Sequence, residues 1–244
     1  MNLIVDQGNS RYKLAVYDKN QLVELLHEDG AIDLKSLESW LNGFPEIERC
    51  IISTVGEADT NLVAFVGNRY QTTRLTNTSK LPFRMNYATP DTLGVDRMAL
   101  VSAAAFQYPK QNVLVIDAGS CITFDFLDAE NTYHGGAIAP GLRMRYQALH
   151  EQTAGLPLLE PKQPKSGIGN STAQSMHVGV VSGMSYEIDA SIEHYRATFG
   201  NLTVILTGGD AHFLRDSIKN DIFAHPNFLL EGLNHLLEVN SSTF

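Results

Sequence analysis

The chain reads as an α/β protein of two tandem domains, residues 1–110 and 111–244, each a mixed β-sheet flanked by helices. One observation is a duplicated hairpin: an apolar run ending in Asp, one residue, Gly and a small polar residue occurs at Leu3 to Ser10 and again at Val115 to Cys121. The two acids, Asp6 and Asp117, are 111 residues apart. A second is the element pattern of the first half, strands in a run and then helices alternating with strands, which indicates a layered α/β domain with a mixed sheet. The third is size and composition: 244 residues, 43% apolar and 18% charged, suffice for a real core in each of two domains.

The first half opens with strands near 2–6, 12–17 and 22–27, a meander of three. Asp33 precedes Leu34, Leu37, Trp40 and Leu41, the spacing of one helical face, and Gly43 and Pro45 end that helix. Cys50 to Ser53 reads as a strand, 58–69 as a helix and Thr72 to Leu75 as a strand. The segment 76–94, with Pro82, Pro90 and Gly94, is loop-like, and the helix that follows runs to about Gln107 before Pro109 stops it. The second half restarts with a strand at Val113 to Asp117 and a second one from Ile122 to Leu127, then a Gly135 to Gly141 loop and a helix from Leu142 to Leu149. Residues 155–170, rich in Pro, Lys and Gly, are the least structured segment. The longest helix starts at Ser171, where Ser171 and Gln174 fit a capping box, and extends as far as Thr198. A strand from Leu202 to Leu206, the turn Thr207 to Asp210, a further helix, a strand from Asn227 to Leu229 and a closing helix through Leu233, Leu236 and Leu237 complete the chain.

The formal charge of -9 argues against a general nucleic-acid or anionic-membrane binder, which needs a positive footprint. Cys50 and Cys121 are the only cysteines and lack the spacing of a zinc site, so two free thiols in a reducing compartment are expected. The start carries no basic leader and no stretch is long enough to span a bilayer, which together point to the cytoplasm.

Chemically, each hairpin places a carboxylate at its mouth, able to hold a cation or its water shell, beside a glycine that lets backbone approach a phosphate. A single such turn is common in α/β proteins; its repetition is what points to a phosphate clamp. Asp96, in the first turn of a helix after Gly94, sits where backbone N–H groups favour a carboxylate, and beside Arg97 it can equally be an exposed helix-start pair.

Five motifs in register resemble those of the type III pantothenate kinases: Asp6 to Ser10, Gly94 to Arg97, Asp117 to Ser120, Gly135 to Gly141 and Ile168 to Thr172. The resemblance covers essentially the whole chain. It implies two tandem actin-like (ribonuclease H-like) domains and an ATP-dependent phosphorylation of pantothenate to 4'-phosphopantothenate, the first step of coenzyme A biosynthesis. By the same resemblance Asp6, Gln7, Gly8, Asn9, Ser10, Arg11, Tyr12 and Lys13 cradle ATP, with Asp6 acting on the magnesium–phosphate unit, directly or indirectly, and Ser120 supplies a second phosphate contact. Asp96 would be the general base. Tyr87, Gly94, Val95, Asp96, Arg97 and Thr172 would line the pantothenate site. Asp117 would hold a monovalent cation, K⁺ or NH₄⁺. The resemblance also implies a homodimer, with the helix after Ser171 as its contact.

Two departures from the family pattern stand out. Cys121 occupies a position where Ala is usual, and Asn170-Ser171 stands where Lys-Asn is common, which removes a positive charge on the presumed substrate side. Tyr87 taken alone reads as a core or lid aromatic, and Thr172 as a capping residue. Thr207-Gly208-Gly209 resembles a nucleotide-side turn but is nonspecific as a motif. His134, His150 and His177 receive no role. The alternatives to the pantothenate kinase reading are a kinase of the same superfold acting on another small alcohol, and a non-catalytic nucleotide-binding regulator.

Overall fold

The computed structural model describes residues 1–8 and 11–241. The chain divides into two units, Met1–Gln107 with Asn227–Phe244, and Tyr108–Pro226.

In the first unit, β1 (Asn2–Gln7), β2 (Arg11–Asp18) and β3 (Gln21–Asp29) form the antiparallel meander. Then come α1 (Leu34–Leu41), β4 (Arg49–Thr54), α2 (Thr60–Gly67) and β5 (Gln71–Arg74). The sheet order is β3-β2-β1-β4-β5, with β4 parallel to β1 and β5 parallel to β4. Both early helices begin at an aspartate cap: Asp33 accepts from the Lys35 and Ser36 amides, and Asp59 from those of Asn61 and Leu62. The period-2 alternation of the strands sends Leu3, Val5, Leu14, Val16, Cys50 and Ile52 to one face, where they pack with Leu37, Leu41, Leu62 and Val66 of α1 and α2. β6 (Arg84–Met85) is a two-residue strand in the loop before α3 (Val95–Gln107).

The opposite face is covered by α3 and by the closing helix, Phe228–Ser241. Asn2 donates to Asn234 at 2.9 Å and to Glu238 at 2.8 Å, and Arg49 grips the same Glu238 carboxylate through both terminal nitrogens. With helices on both sides, β1 is buried along its whole length, which is why Leu3-Ile4-Val5 shows no apolar alternation.

The second unit repeats the plan. β7 (Val113–Ala118), β8 (Cys121–Leu127) and β9 (Thr132–Pro140) are an antiparallel meander, and β10 (Thr203–Thr207) and β11 (Phe223–Ala224) add in parallel beyond β7. Its strands lie in the order β9-β8-β7-β10-β11, the same order as β3-β2-β1-β4-β5. α4 (Leu142–Glu151) follows the meander. α5 (Thr172–His177), a π-helical turn at Val178–Ser182 and α6 (Gly183–Phe199) form one continuous run. The short α7 (Ala211–Leu214) precedes β11. Leu114, Ile116, Phe124, Phe126 and Leu206 of the sheet pack against Leu142, Tyr146, Val181, Met184, Ile188 and Ile192 of these helices.

Four expectations change. Gly135 to Gly141 is not a loop up to Pro140 but strand β9; glycine is required at 136 because a Cβ there would fall 1.7 Å from the Phe124 carbonyl oxygen of the neighbouring strand. Asn227 to Leu229 is not a strand: the Asn227 carbonyl accepts from the Glu231 amide, and Phe228 and Leu229 begin the closing helix. A short apolar run fits either state, and here the helix won through burial of Phe228, Leu229, Leu230 and Leu233. That helix lies with the first unit, so the division is not 1–110 against 111–244. Ser171 does cap its helix, accepting from the Gln174 amide at 3.3 Å, but the Gln174 side chain receives the Asn170 amide rather than closing the box on Ser171. No helix among the described residues is long and apolar enough to cross a membrane.

Candidate active site

The acid end of β1 is built by register. Asp6 lies directly between Lys13 on β2 and Ser53 on β4, and all three share the face that α3 and the closing helix cover. Asp6 is 6% exposed, and burial pushes its carboxyl up to about 6; Lys13 and Ser53 draw it down, and Asp96 raises it further. The last contribution places Asp96 near Asp6, so the first unit gathers Asp6, Lys13, Ser53 and Asp96 at one corner.

The other residues of the first hairpin divide by face. Gln7 and Tyr12 fall on the α2 side. The Gln7 amide accepts from the Asp59 backbone N–H at 3.0 Å and donates to the Glu57 carbonyl at 2.9 Å, and the Tyr12 hydroxyl donates to Asp59 at 3.3 Å. These two side chains therefore anchor the β4–α2 loop. Arg11 pairs with Asp29 at 2.6 Å on the surface. The Gly8 amide donates to the Arg11 carbonyl at 3.0 Å and closes the turn; Asn9 and Ser10 lie outside the described residues.

Gly94 has a steric reason: a Cβ there would sit 2.3 Å from Asp96 Oδ1, the oxygen that accepts the Arg97 amide at 2.8 Å. The carboxylate thus folds back over the helix start, with Val95 opening the helix and Arg97 buried behind it. Sequence reasoning missed the residue that pins this segment. The Asn77 amide donates to the carbonyls of Pro90 at 2.8 Å and Leu93 at 2.9 Å, holding the approach to Gly94. Its only signal is a polar side chain in a Pro-bounded loop. Ser53 was missed too, since only strand register reveals it. Tyr87 is half-buried in the loop upstream.

In the second unit the hairpin and the late turn are packed backbone to backbone. The Gly119 amide donates to the Cys121 carbonyl at 2.9 Å, and the Ser120 carbonyl accepts from the Gly141 amide at 3.1 Å. Gly208, at φ +96°, leaves no room for a Cβ, which would meet Asp117 Oδ1 at 2.3 Å and the Ala118 carbonyl oxygen at 2.4 Å. The Asp210 amide ties the turn to Ala118 at 2.9 Å, and the half-buried Asp210 carboxyl is raised by burial and eased by Arg143. The Thr207-Gly208-Gly209 turn, nonspecific as a sequence, is therefore the backing of Asp117. Across the strands Asp117 lies between Thr207 and Thr123, an oxygen-only row suited to a hard cation.

Thr172 is exposed as the first residue of α5. The three histidines without a role all have partners: His134 with Asp128 at 2.5 Å, His150 with the Leu156 carbonyl at 2.7 Å and His177 with the Tyr146 hydroxyl at 2.7 Å. Among the described residues no group of three or more His, Cys, Asp or Glu could cage a metal. A carboxylate at each hairpin, buried at Asp6 and half-buried at Asp117, instead suits ions that arrive with phosphates and keep most of their ligands from them, as Mg²⁺ does.

Two sheets that share a five-strand order, each with an acid-tipped hairpin between its first two strands, define the actin-like fold. In agreement, the activator of 2-hydroxyisocaproyl-CoA dehydratase from Clostridium difficile, solved with bound ADPNP, superposes with a TM-score of 0.53 at 11% identity, covering 98% of this chain and 93% of that one. The family model for type III pantothenate kinase matches residues 2–194. A type III pantothenate kinase from Flavobacterium johnsoniae is 48% identical over 96% of this chain and 96% of its own length. The one from Flavobacterium psychrophilum is 45% identical over 98% and 99%. The chain belongs to the type III pantothenate kinase family.

Proposed function

We infer that the protein transfers the γ-phosphoryl group of ATP to the hydroxyl of pantothenate, giving 4'-phosphopantothenate and ADP, the entry step of coenzyme A synthesis. The observation that carries this is the full-length match to relatives of that name at up to 48% identity, in a chain whose first unit gathers Asp6, Lys13 and Asp96.

Phosphoryl transfer needs positioned phosphates, neutralised charge and an acceptor for the attacking hydroxyl's proton. Asp96 takes that proton: its carboxylate stands at the head of α3, oriented by the Arg97 amide. Gly94, Val95, Arg97, Tyr87 and Thr172 hold pantothenate, with the Arg97 guanidinium as counter-charge to an acidic substrate. Lys13 meets phosphate oxygens, with Gln7, Gly8, Asn9, Ser10, Arg11 and Tyr12 as the rest of the stretch that serves ATP. Asp6 would hold Mg²⁺, directly or through its water shell, and the ion would supply positive charge to offset that of the phosphates. Ser120 adds a phosphate contact, and Asp117 with its threonine neighbours binds K⁺ or NH₄⁺. The protein acts in the cytoplasm as a homodimer. Its contact is the helical run after Ser171, where Tyr186 is 57% exposed and Phe199 is exposed as well, on a helix whose other side packs in the core.

The test is direct. Purified protein with ATP, Mg²⁺ and K⁺ is expected to form phosphopantothenate, and Asp96→Asn to abolish turnover while ATP binding persists. Ready phosphorylation of another small alcohol with none of pantothenate would overturn the substrate. Full activity in a stable monomer by gel filtration would remove the dimer.

A further inference from the structure

Ser53, the last residue but one of β4, is the residue of that strand in register with Asp6 and is 0% exposed. Its Oγ lies close enough to the Asp6 carboxyl to draw it down, but makes no well-formed hydrogen bond among the described residues. Buried hydroxyls are almost always bonded, and leaving one unmade costs the full desolvation of the group. Alanine would fill the same space without that cost, so the serine at this point calls for a partner that the ligand-free arrangement supplies only loosely. The polar groups across the sheet at this level are Asp6 and, beyond it, Lys13.

We propose that Ser53 is a positioning residue for phosphoryl transfer, its hydroxyl donating to the Asp6 carboxylate when Mg²⁺-ATP is bound. The proposal rests on the reading of Asp6 as the acid that serves the magnesium–phosphate unit. The chemistry is that of a supporting hydrogen bond to a ligating carboxylate. Once one oxygen of Asp6 faces the ion or its water, the other needs a donor to fix the plane of the group. Lys13, on the far side, is the charge that incoming phosphate oxygens compete for. A neutral rotor on the β4 side can turn to Asp6 without being drawn away. A hydrogen bond that is loose in the empty site and tightens with ligand is the usual behaviour of such constellations.

The experiment is calorimetric binding of ATP, with Mg²⁺ and with EDTA in its place, to the wild type, Ser53→Ala, Ser53→Thr and Asp6→Asn, alongside the ligand-free melting temperatures. Ser53→Ala is expected to weaken Mg²⁺-ATP about 10-fold and to leave metal-free ATP and the KM for pantothenate unchanged. Its ligand-free Tm should hold or rise, because a poorly met polar group is removed. Ser53→Thr keeps the hydroxyl and should recover most of the affinity; should its methyl not fit, Ser53→Cys, close in volume with a weak donor, should behave as alanine does. If Asp6→Asn loses Mg²⁺-ATP and Ser53→Ala does not, the proposal falls and the reading of Asp6 stands. If neither variant changes the magnesium dependence, both fall. Equal losses with and without Mg²⁺, accompanied by a lower Tm, would make Ser53 a packing residue and overturn its assigned role.

Discussion

Replacing Asp6 by Asn should make the ligand-free protein more stable while disabling it. The carboxyl sits at about 6 instead of the ordinary 3.8 because burial penalises its charged form more than Lys13 and Ser53 favour it. A difference of about two pH units corresponds to about 3 kcal/mol between the protonation states. A carboxyl raised in the folded state binds its proton more tightly there than in the unfolded chain. Folding stability therefore falls as pH rises from about 4 to about 6, and the whole penalty is present above that window. Asn keeps the shape and carries no charge. Urea unfolding in EDTA should show Asp6→Asn more stable than wild type by up to about 3 kcal/mol at pH 7.5. The advantage should shrink through pH 5 and vanish near pH 4, where the wild-type group is itself neutral. A variant no more stable at pH 7.5, or one whose gain is the same at both ends, would refute the reasoning. The strain is released by the ligand: a divalent ion facing Asp6 favours the charged form, so Mg²⁺-ATP should stabilise the wild type far more than the variant.

Two further outcomes test the close packing. Gly232→Ala sets a Cβ 1.9 Å from the Ala99 carbonyl oxygen of α3; helix propensity returns about 1 kcal/mol, but prising two helices apart costs more, so a net loss of about 2 kcal/mol is expected by denaturant titration. Gly208→Ala combines a φ of +96° with contacts at 2.3 Å to Asp117 and 2.4 Å to Ala118, and should lower stability by about 1–3 kcal/mol. Activity measured against K⁺ concentration should show a higher requirement for the cation in this variant, and an unchanged K⁺ curve would separate Asp117 from cation binding.

The sequence carried the meanders, the alternation of helices and strands and both acid-tipped hairpins, because apolar period, aspartate caps and D-x-G turns are local signals. It carried Gly94 and Asp96 as a motif; the 2.3 Å approach between them is the physical reason for that glycine. What it withheld depends on partners distant in the chain. β9 was hidden because Gly135 and Gly136 mark a loop in isolation, and only the neighbouring Phe124 carbonyl explains Gly136. Ser53 and Asn77 are ordinary polar residues until register and loop closure bring them to Asp6 and Gly94. Gln7 and Tyr12 lie within the stretch expected to cradle ATP, yet strand alternation turns them to the other face, where they tie down Asp59. The destination of the closing helix was illegible for the same reason, since nothing in Leu233, Leu236 and Leu237 states which sheet they cover.

That helix sets an order on the birth of the molecule. A ribosome delivers chain from the N-terminus, and residues 108–226 form an uninterrupted unit whose own five strands are all made once β11 emerges. The first sheet, though made earliest, keeps one flank partly uncovered until Phe228–Ser241 arrives to bury Asn2 under Asn234 and to hand Glu238 to Arg49. Of the two sheets, the one translated earlier is thus completed later, and the corner that carries Asp6 and Asp96 acquires its final support only as synthesis reaches the closing helix.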